Sequence, residues 1–138
     1  MILKVCLDSN VLVSGIVYGG VPGTIVDMVF AKELRVVTSA FILDEVERNA
    51  MKCGQDRWTI RFLRRRLEEL AEFSEPKGNI KVKGVESGDL MVLETACLAK
   101  TPYLVTGDKE LLALKHFKYT RIIEPRHLLE IIAGTHRR

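Results

Sequence analysis

Residues 101–114 read TPYLVTGDKELLAL. Tyr103, Leu104 and Val105 form a short β-favouring run, and Gly107 allows the chain to turn sharply. Asp108 follows at once, and KELLAL then has helical composition, giving a short helix over 109–115. A buried strand that turns straight into a helix, with an acid at the junction, is a strand–helix unit of an α/β sheet.

The same alternation extends in both directions. Downstream, TRIIEP is a last strand and 126–133 a closing helix. Upstream, Ser87 caps an apolar helix over 88–100, whose Leu90, Met91, Leu93, Ala96, Cys97 and Leu98 leave little polar face. EPKGN is a turn, and IKVK after it reads as a short strand. The Arg-rich stretch 56–72 is an amphipathic helix, and Ser39 caps another over 40–52. LRVVT (34–38) and residues 2–7 are buried strands, and 24–33 is a helix. GIVYGGVPG (15–23) reads as a Gly-rich loop. Strands alternating with helices imply a mainly parallel sheet covered on both faces. The 138 residues suit a single domain, 1–138, with no repeat or interdomain linker.

Composition narrows the class. At 47% hydrophobic and 28% charged, the chain has an ordinary globular balance. No apolar run reaches the roughly 18 residues of a membrane span, and the N-terminus lacks signal-peptide features, so no membrane partner is expected. Cys6, Cys53 and Cys97 are odd in number and unpatterned, which fits a reducing, cytoplasmic setting, with Cys6 and Cys97 in the core. His116, His127 and His136 are far apart, so neither zinc spacing nor histidine catalysis is indicated, and each is expected at the surface. The net charge of +3 permits a nucleic-acid partner without arguing for one. Arg57, Arg61, Arg64, Arg65 and Arg66 recur at helical spacing, followed by Glu68, Glu69 and Glu72. That stripe is either a solvated, ion-paired helix or a phosphate-facing surface.

Four acids carry the chemistry. Asp8 and Asp108 end strands, Asp89 opens a helix, and Glu45 lies at the edge of a buried helical stripe. In open parallel sheets ligands sit outside the carboxyl ends of the strands, so Asp8, Asp89 and Asp108 meet there by topology, and Glu45 joins if its helix crosses that edge. Clustered carboxylates repel one another and must take up protons or hard cations; oxygen-only ligation points to Mg²⁺ or Mn²⁺ and phosphate chemistry. Ser9 and Asn10 follow Asp8 and can fix its carboxylate, and the Thr106 hydroxyl can orient Asp108 or a water. Glu94 interrupts an apolar helix and belongs at the cleft or in an ion pair, while Glu110 either caps the helix after Asp108 or takes a metal role.

VCLDSNVLVSG, SAFILDEVERNAMK and GDLMVLETACLAKTPYLVTGDKELL, taken in order, resemble a PIN domain of the VapC-like kind found as the toxin of prokaryotic toxin–antitoxin pairs. The family's acids correspond to Asp8, Glu45, Asp89 and Asp108, its small polar position to Thr106, and its asparagine near the first acid to Asn10. Where the family often has an acidic, Pro-containing stretch before the third acid, this chain has KGVESGD. The resemblance implies a three-layer α/β/α sandwich. It also implies a Mg²⁺- or Mn²⁺-dependent endoribonuclease with an RNA substrate, an antitoxin partner and a homodimeric state. Tyr18, Val21, Met28, Val29 and Phe30 offer apolar surface for that pairing. Two other classes compete. One is a non-catalytic RNA- or partner-binding PIN module. The other is an aspartyl phosphatase of the haloacid dehalogenase type, against which stand Asn10 in place of a second aspartate and a chain too short for a cap domain.

Overall fold

The computed structural model describes residues 2–136, excepting the side chains of Thr135 and His136. Among the described residues there are six strands and seven helices. The strands are β1 (Lys4–Leu7), β2 (Arg35–Thr38), β3 (Glu72–Phe73), β4 (Tyr103–Val105), β5 (His116–Phe117) and β6 (Thr120–Ile123). The helices are α1 (Ser9–Val17), α2 (Gly20–Phe30), α3 (Ala40–Lys52), α4 (Arg57–Leu70), α5 (Ser87–Leu98), α6 (Lys109–Leu114) and α7 (Pro125–His136). The sheet order is β3-β2-β1-β4-β6-β5, parallel throughout except for the β5–β6 hairpin. The result is the expected three-layer α/β/α sandwich. α5 packs directly on β1, β2 and β4, while α1, α2, α3, α4 and α7 pack among themselves.

β1 and β4 lie side by side in the middle of the sheet because residues 5–7 and 103–105 are short, largely apolar runs that bury on two faces. Val5, Cys6, Leu7, Leu104 and Val105 have no exposed surface. β1 also orders its neighbour, since Asp8 N–H donates to Val105 C=O at 3.0 Å and carries the pairing one residue past the strand. Ser39 caps α3 as its sequence position predicts, accepting from Ile42 N–H at 3.3 Å. Asp56 caps α4 through Thr59 N–H at 3.1 Å. α2, α5 and α6 end next to Lys32, Lys100 and Lys115, whose positive φ of 62°, 52° and 64° fills the place usually left to glycine.

Several sequence expectations need correction. Residues 15–23 are not a loop. α1 runs through Ile16 and Val17, only Gly19 and Gly20 break the helix, with φ of 78° and 65°, and Pro22 sits in the first turn of α2, where its missing N–H costs nothing. α1 and α2 meet at 97°. The Arg-rich helix stops at Leu70, so that Glu72 and Phe73 can add an edge strand beside β2. IKVK pairs with no strand, and α5 begins at Ser87 itself, with Glu86 in the cap position. β5 was not anticipated: His116 and Phe117 are too few to show a period-2 pattern. Among the described residues no single helix is long and apolar enough to cross a membrane. Cys6 is fully buried and Cys97 half-buried against the core, as expected, and Cys53 is exposed.

The tightest helix contact is at Gly15. A Cβ there would lie 2.6 Å from Val26 Cγ2 and 2.8 Å from the Pro22 carbonyl oxygen, and the second of these is backbone. Gly15→Ala is therefore expected to destabilise the fold by about 1–3 kcal/mol, despite the better helix propensity of alanine. Urea unfolding checks this; an unchanged midpoint would show that α1 and α2 separate freely.

Candidate metal centre

The acids meet at the carboxyl edge of the sheet. Asp8, directly after β1, is buried, and its Oδ2 accepts a 2.6 Å hydrogen bond from the Thr106 hydroxyl. That same hydroxyl oxygen accepts from Asp108 N–H at 3.0 Å. Thr106 thus fixes the first and last acids relative to each other, a tighter role than orienting Asp108 alone. Asp108 is also the N-cap of α6. Its Oδ1 accepts from Glu110 and Leu111 N–H at 2.8 and 3.1 Å. Capping, expected of Glu110, thus belongs to Asp108.

Asp89 approaches from the first turn of α5. One carboxylate oxygen each of Asp89, Asp108 and Glu110 lie within 4.8 Å of one another. Burial pushes Asp89 up to about 7, helped by the negative charges of Asp108 and Asp8, a hydrogen bond with Asp108 and the charge of Glu86. Burial also raises Asp8, against the lowering effect of its bonds from Thr106 and Ser9, and Asp108 adds to the rise. Glu45 reaches the group from α3 at one remove. Ser9 Oγ lies 3.1 Å from Glu45 Oε1 and 3.4 Å from Asp8 Oδ1, bridging the two acids. Asn10 is exposed at the rim and takes part in none of these bonds.

Of the six residues singled out in the sequence, Asp89 and Asp108 lie in the close carboxylate group with Glu110, Asp8 stands beside them tied to Asp108 through Thr106, Glu45 is tied to Asp8 through Ser9, and Asn10 is exposed and outside these bonds. Two neighbours complete the group. Ser9 is legible only as the hydroxyl next to the first acid. Glu110 stands two residues from Asp108, on a helix that turns it toward Asp89. The donors are all oxygens, and none of the ion pairs among the described residues engages Asp8, Asp89, Asp108 or Glu110. An under-compensated, oxygen-only acidic group is the chemistry that a hard divalent cation fits.

Two other sequence expectations resolve differently. Glu94 is buried, yet it is neither in the cleft nor ion-paired. It accepts from the backbone N–H groups of Lys77, Gly78 and Asn79 at 2.6, 3.0 and 3.0 Å, pinning the segment that follows β3. Burial alone would raise its pKa, but these donors outweigh it and lower it. In the arginine stripe, Arg64 pairs with Asp44, Glu47 and Glu68, and Arg66 with Glu69. The ion-paired reading holds for those two; Arg57, Arg61 and Arg65 remain exposed. His116 is exposed and His127 half-buried, and the side chain of His136 lies outside the described residues.

A strand-and-helix scaffold with acids at this edge is matched by the family model described as PIN domain, over residues 4–110. The chain belongs to the PIN-domain family. It is also 31% identical over 131 residues to a protein of Methanocaldococcus jannaschii described as "Uncharacterized protein MJ1680", covering 87% of this chain and 81% of that one. PIN domains are in general metal-dependent nucleases, so membership supports a nuclease-type function and the acidic group is a possible metal site.

Proposed function

We propose that this chain, as one domain over 1–138, is a Mg²⁺- or Mn²⁺-dependent endoribonuclease. The observation that carries the reading is the approach of Asp89, Asp108 and Glu110 beside buried Asp8 at one sheet edge, with Asp89 raised to about 7 by burial and by the charges of Asp108 and Asp8. Asp8, Asp89 and Asp108 would hold the ion, with Glu45 reaching it directly or through a water and Glu110 completing the rim. A bound divalent ion would supply positive charge against the phosphate and an acidified water for hydrolysis. The chain's own groups keep the acids in place. The Thr106 hydroxyl sets the spacing of Asp8 and Asp108, Ser9 ties Glu45 to Asp8, and the cap at α6 fixes one oxygen of Asp108. Asn10, exposed two residues after Asp8, would orient the substrate or a water.

Labelled single-stranded RNA is the direct test. Fragments should appear with Mg²⁺ or Mn²⁺ and cease with EDTA. Binding without cutting under every metal condition would favour a non-catalytic module, and release of phosphate from monoesters alone would favour a phosphatase.

The same proposal includes the toxin role and an antitoxin partner, which rest on the family resemblance, and a cytoplasmic location, which rests on the odd, unpatterned cysteines. A short neighbouring reading frame with a DNA-binding N-terminus would support it, and growth unaffected by expression of the chain would count against it. A homodimer also rests on the resemblance alone. The apolar residues that the sequence offers for pairing are largely used internally: Val29 is buried, Val21, Met28 and Phe30 pack on the core, and of these five Tyr18 alone stands clear at 76% exposed.

A further inference from the structure

We infer that the groove beside the β5–β6 hairpin binds the sugar–phosphate backbone of single-stranded RNA flanking the cleavage site. The groove encloses about 430 Å³ and is lined by Lys115, His116, Lys118, Tyr119, Arg121 and His127, with Ile122 and Ile123 as its floor. No carboxylate lines it. Lys115, Lys118 and Arg121 are exposed, and none of the ion pairs among the described residues engages them. Five cationic or protonatable side chains around a space without a carboxylate favour an anion from outside.

Position and shape specify which anion. Ile123 pairs with Val105, and its carbonyl oxygen accepts from Thr106 N–H at 3.0 Å, one residue from the acids' own scaffold. The groove therefore starts at the carboxyl edge of the sheet. It runs back along β6 for roughly 10 Å, three strand intervals, to the Lys118–Tyr119 turn. An extended polyanion leaving the acidic centre follows this path, whereas an isolated phosphate would not need its length. Tyr119, 85% exposed at the far end, offers a ring on which a base can stack. The α4 face competes poorly: the depression between Arg61, Arg64 and Arg65 shares its walls with Glu68 and Glu69, and Arg64 is already held by three acids.

The choice of RNA as the occupant rests on the nuclease reading, but binding is separable from cutting. Anisotropy of a fluorescent single-stranded RNA of mixed sequence, measured in EDTA over a salt series, reports the groove alone. Lys115→Gln with Arg121→Gln should raise Kd at least about tenfold and flatten the salt slope by about 1.4, the loss of two single-strand phosphate contacts. Tyr119→Ala should raise Kd about tenfold with the salt slope unchanged. Gln at Arg57, Arg61 and Arg65 together should change Kd less than the hairpin pair. All these side chains are exposed, and melting curves confirm folding; His127→Gln gives an independent variant should the pair unfold. Wild-type affinity in the hairpin variants, or a loss confined to the α4 variant, overturns the inference. So does competition by polyglutamate at the same charge concentration as RNA, which would assign the groove to an acidic protein. RNA that binds through the hairpin but is never cut with metal would sink the nuclease reading and leave this one standing.

Discussion

Asp8→Asn is expected to reduce metal-dependent RNA cleavage at least about a hundredfold while leaving the fold intact. Loss of even an outer partner of a metal ligand costs 10–100-fold in typical sites, and in the proposed site Asp8 is itself a ligand. Asparagine is nearly isosteric. Its carbonyl oxygen can keep the 2.6 Å bond from Thr106, and its amide can face Ser9 Oγ. The variant also removes one of the charges that push Asp89 up. Stability without metal should therefore change by less than about 1 kcal/mol, with an increase as acceptable as a decrease. Cleavage assays paired with melting curves decide the matter. A folded Asp8→Asn protein of full activity would place the chemistry elsewhere.

Divalent metal should raise the melting temperature by roughly 9 °C at a hundred times its Kd. Binding to the native state alone adds about 2.7 kcal/mol, and a chain of this length shifts by roughly 3–4 °C per kcal/mol. The effect must depend on pH, and its sign follows from Asp89. Its carboxyl titrates at about 7 in the folded chain against 3.8 as a free side chain, so between those values the native state holds the extra proton. Stability without metal is then greatest below about pH 4 as far as this group is concerned, and declines as pH rises toward 7. Metal must displace that proton. The Mn²⁺-induced rise should accordingly grow from about pH 5.5 to about pH 8 and then level off. Asp89→Asn should abolish the pH trend, and Asp108→Ala should shrink the rise itself. Scanning calorimetry across this pH range, with Mn²⁺ or EDTA, measures both. A melting temperature indifferent to Mg²⁺ and Mn²⁺ would point to a binding module.

Much of the scaffold was legible because its central elements are uniform in character. β1 and β4 are unbroken apolar runs, Ser39 precedes a clean amphipathic helix, and Asp8, Asp89 and Asp108 sit where strands stop or a helix starts. The parallel sheet and the edge where the acids gather follow from that pattern. What escaped was decided by tertiary context. Gly19 and Gly20 look like part of a nine-residue loop, yet two left-handed residues are enough to turn one apolar helix into another. β3 and β5 are two residues each and exist because an edge of the sheet was free to take them. Glu94 looked exposed to chemistry because its partners are backbone amides, which no side-chain pattern reveals. Glu110 was read as a cap because a first helical turn favours an acid electrostatically, and only the approach of α5 gives it Asp89 for company.

Thr106 and Asp8 are separated by 98 residues of chain, and the strands that carry them are neighbours at the middle of the sheet. This separation has a consequence for synthesis. A ribosome delivers Asp8 first, with β2 following as a partner for β1, while the other side of β1 stays unpaired until β4 has emerged. Until residues 89–108 have emerged, the first acid has neither its hydroxyl tether nor the neighbouring carboxylates of the edge. A nascent chain consequently has no assembled acidic edge until β4 and Asp108 have both emerged from the ribosome.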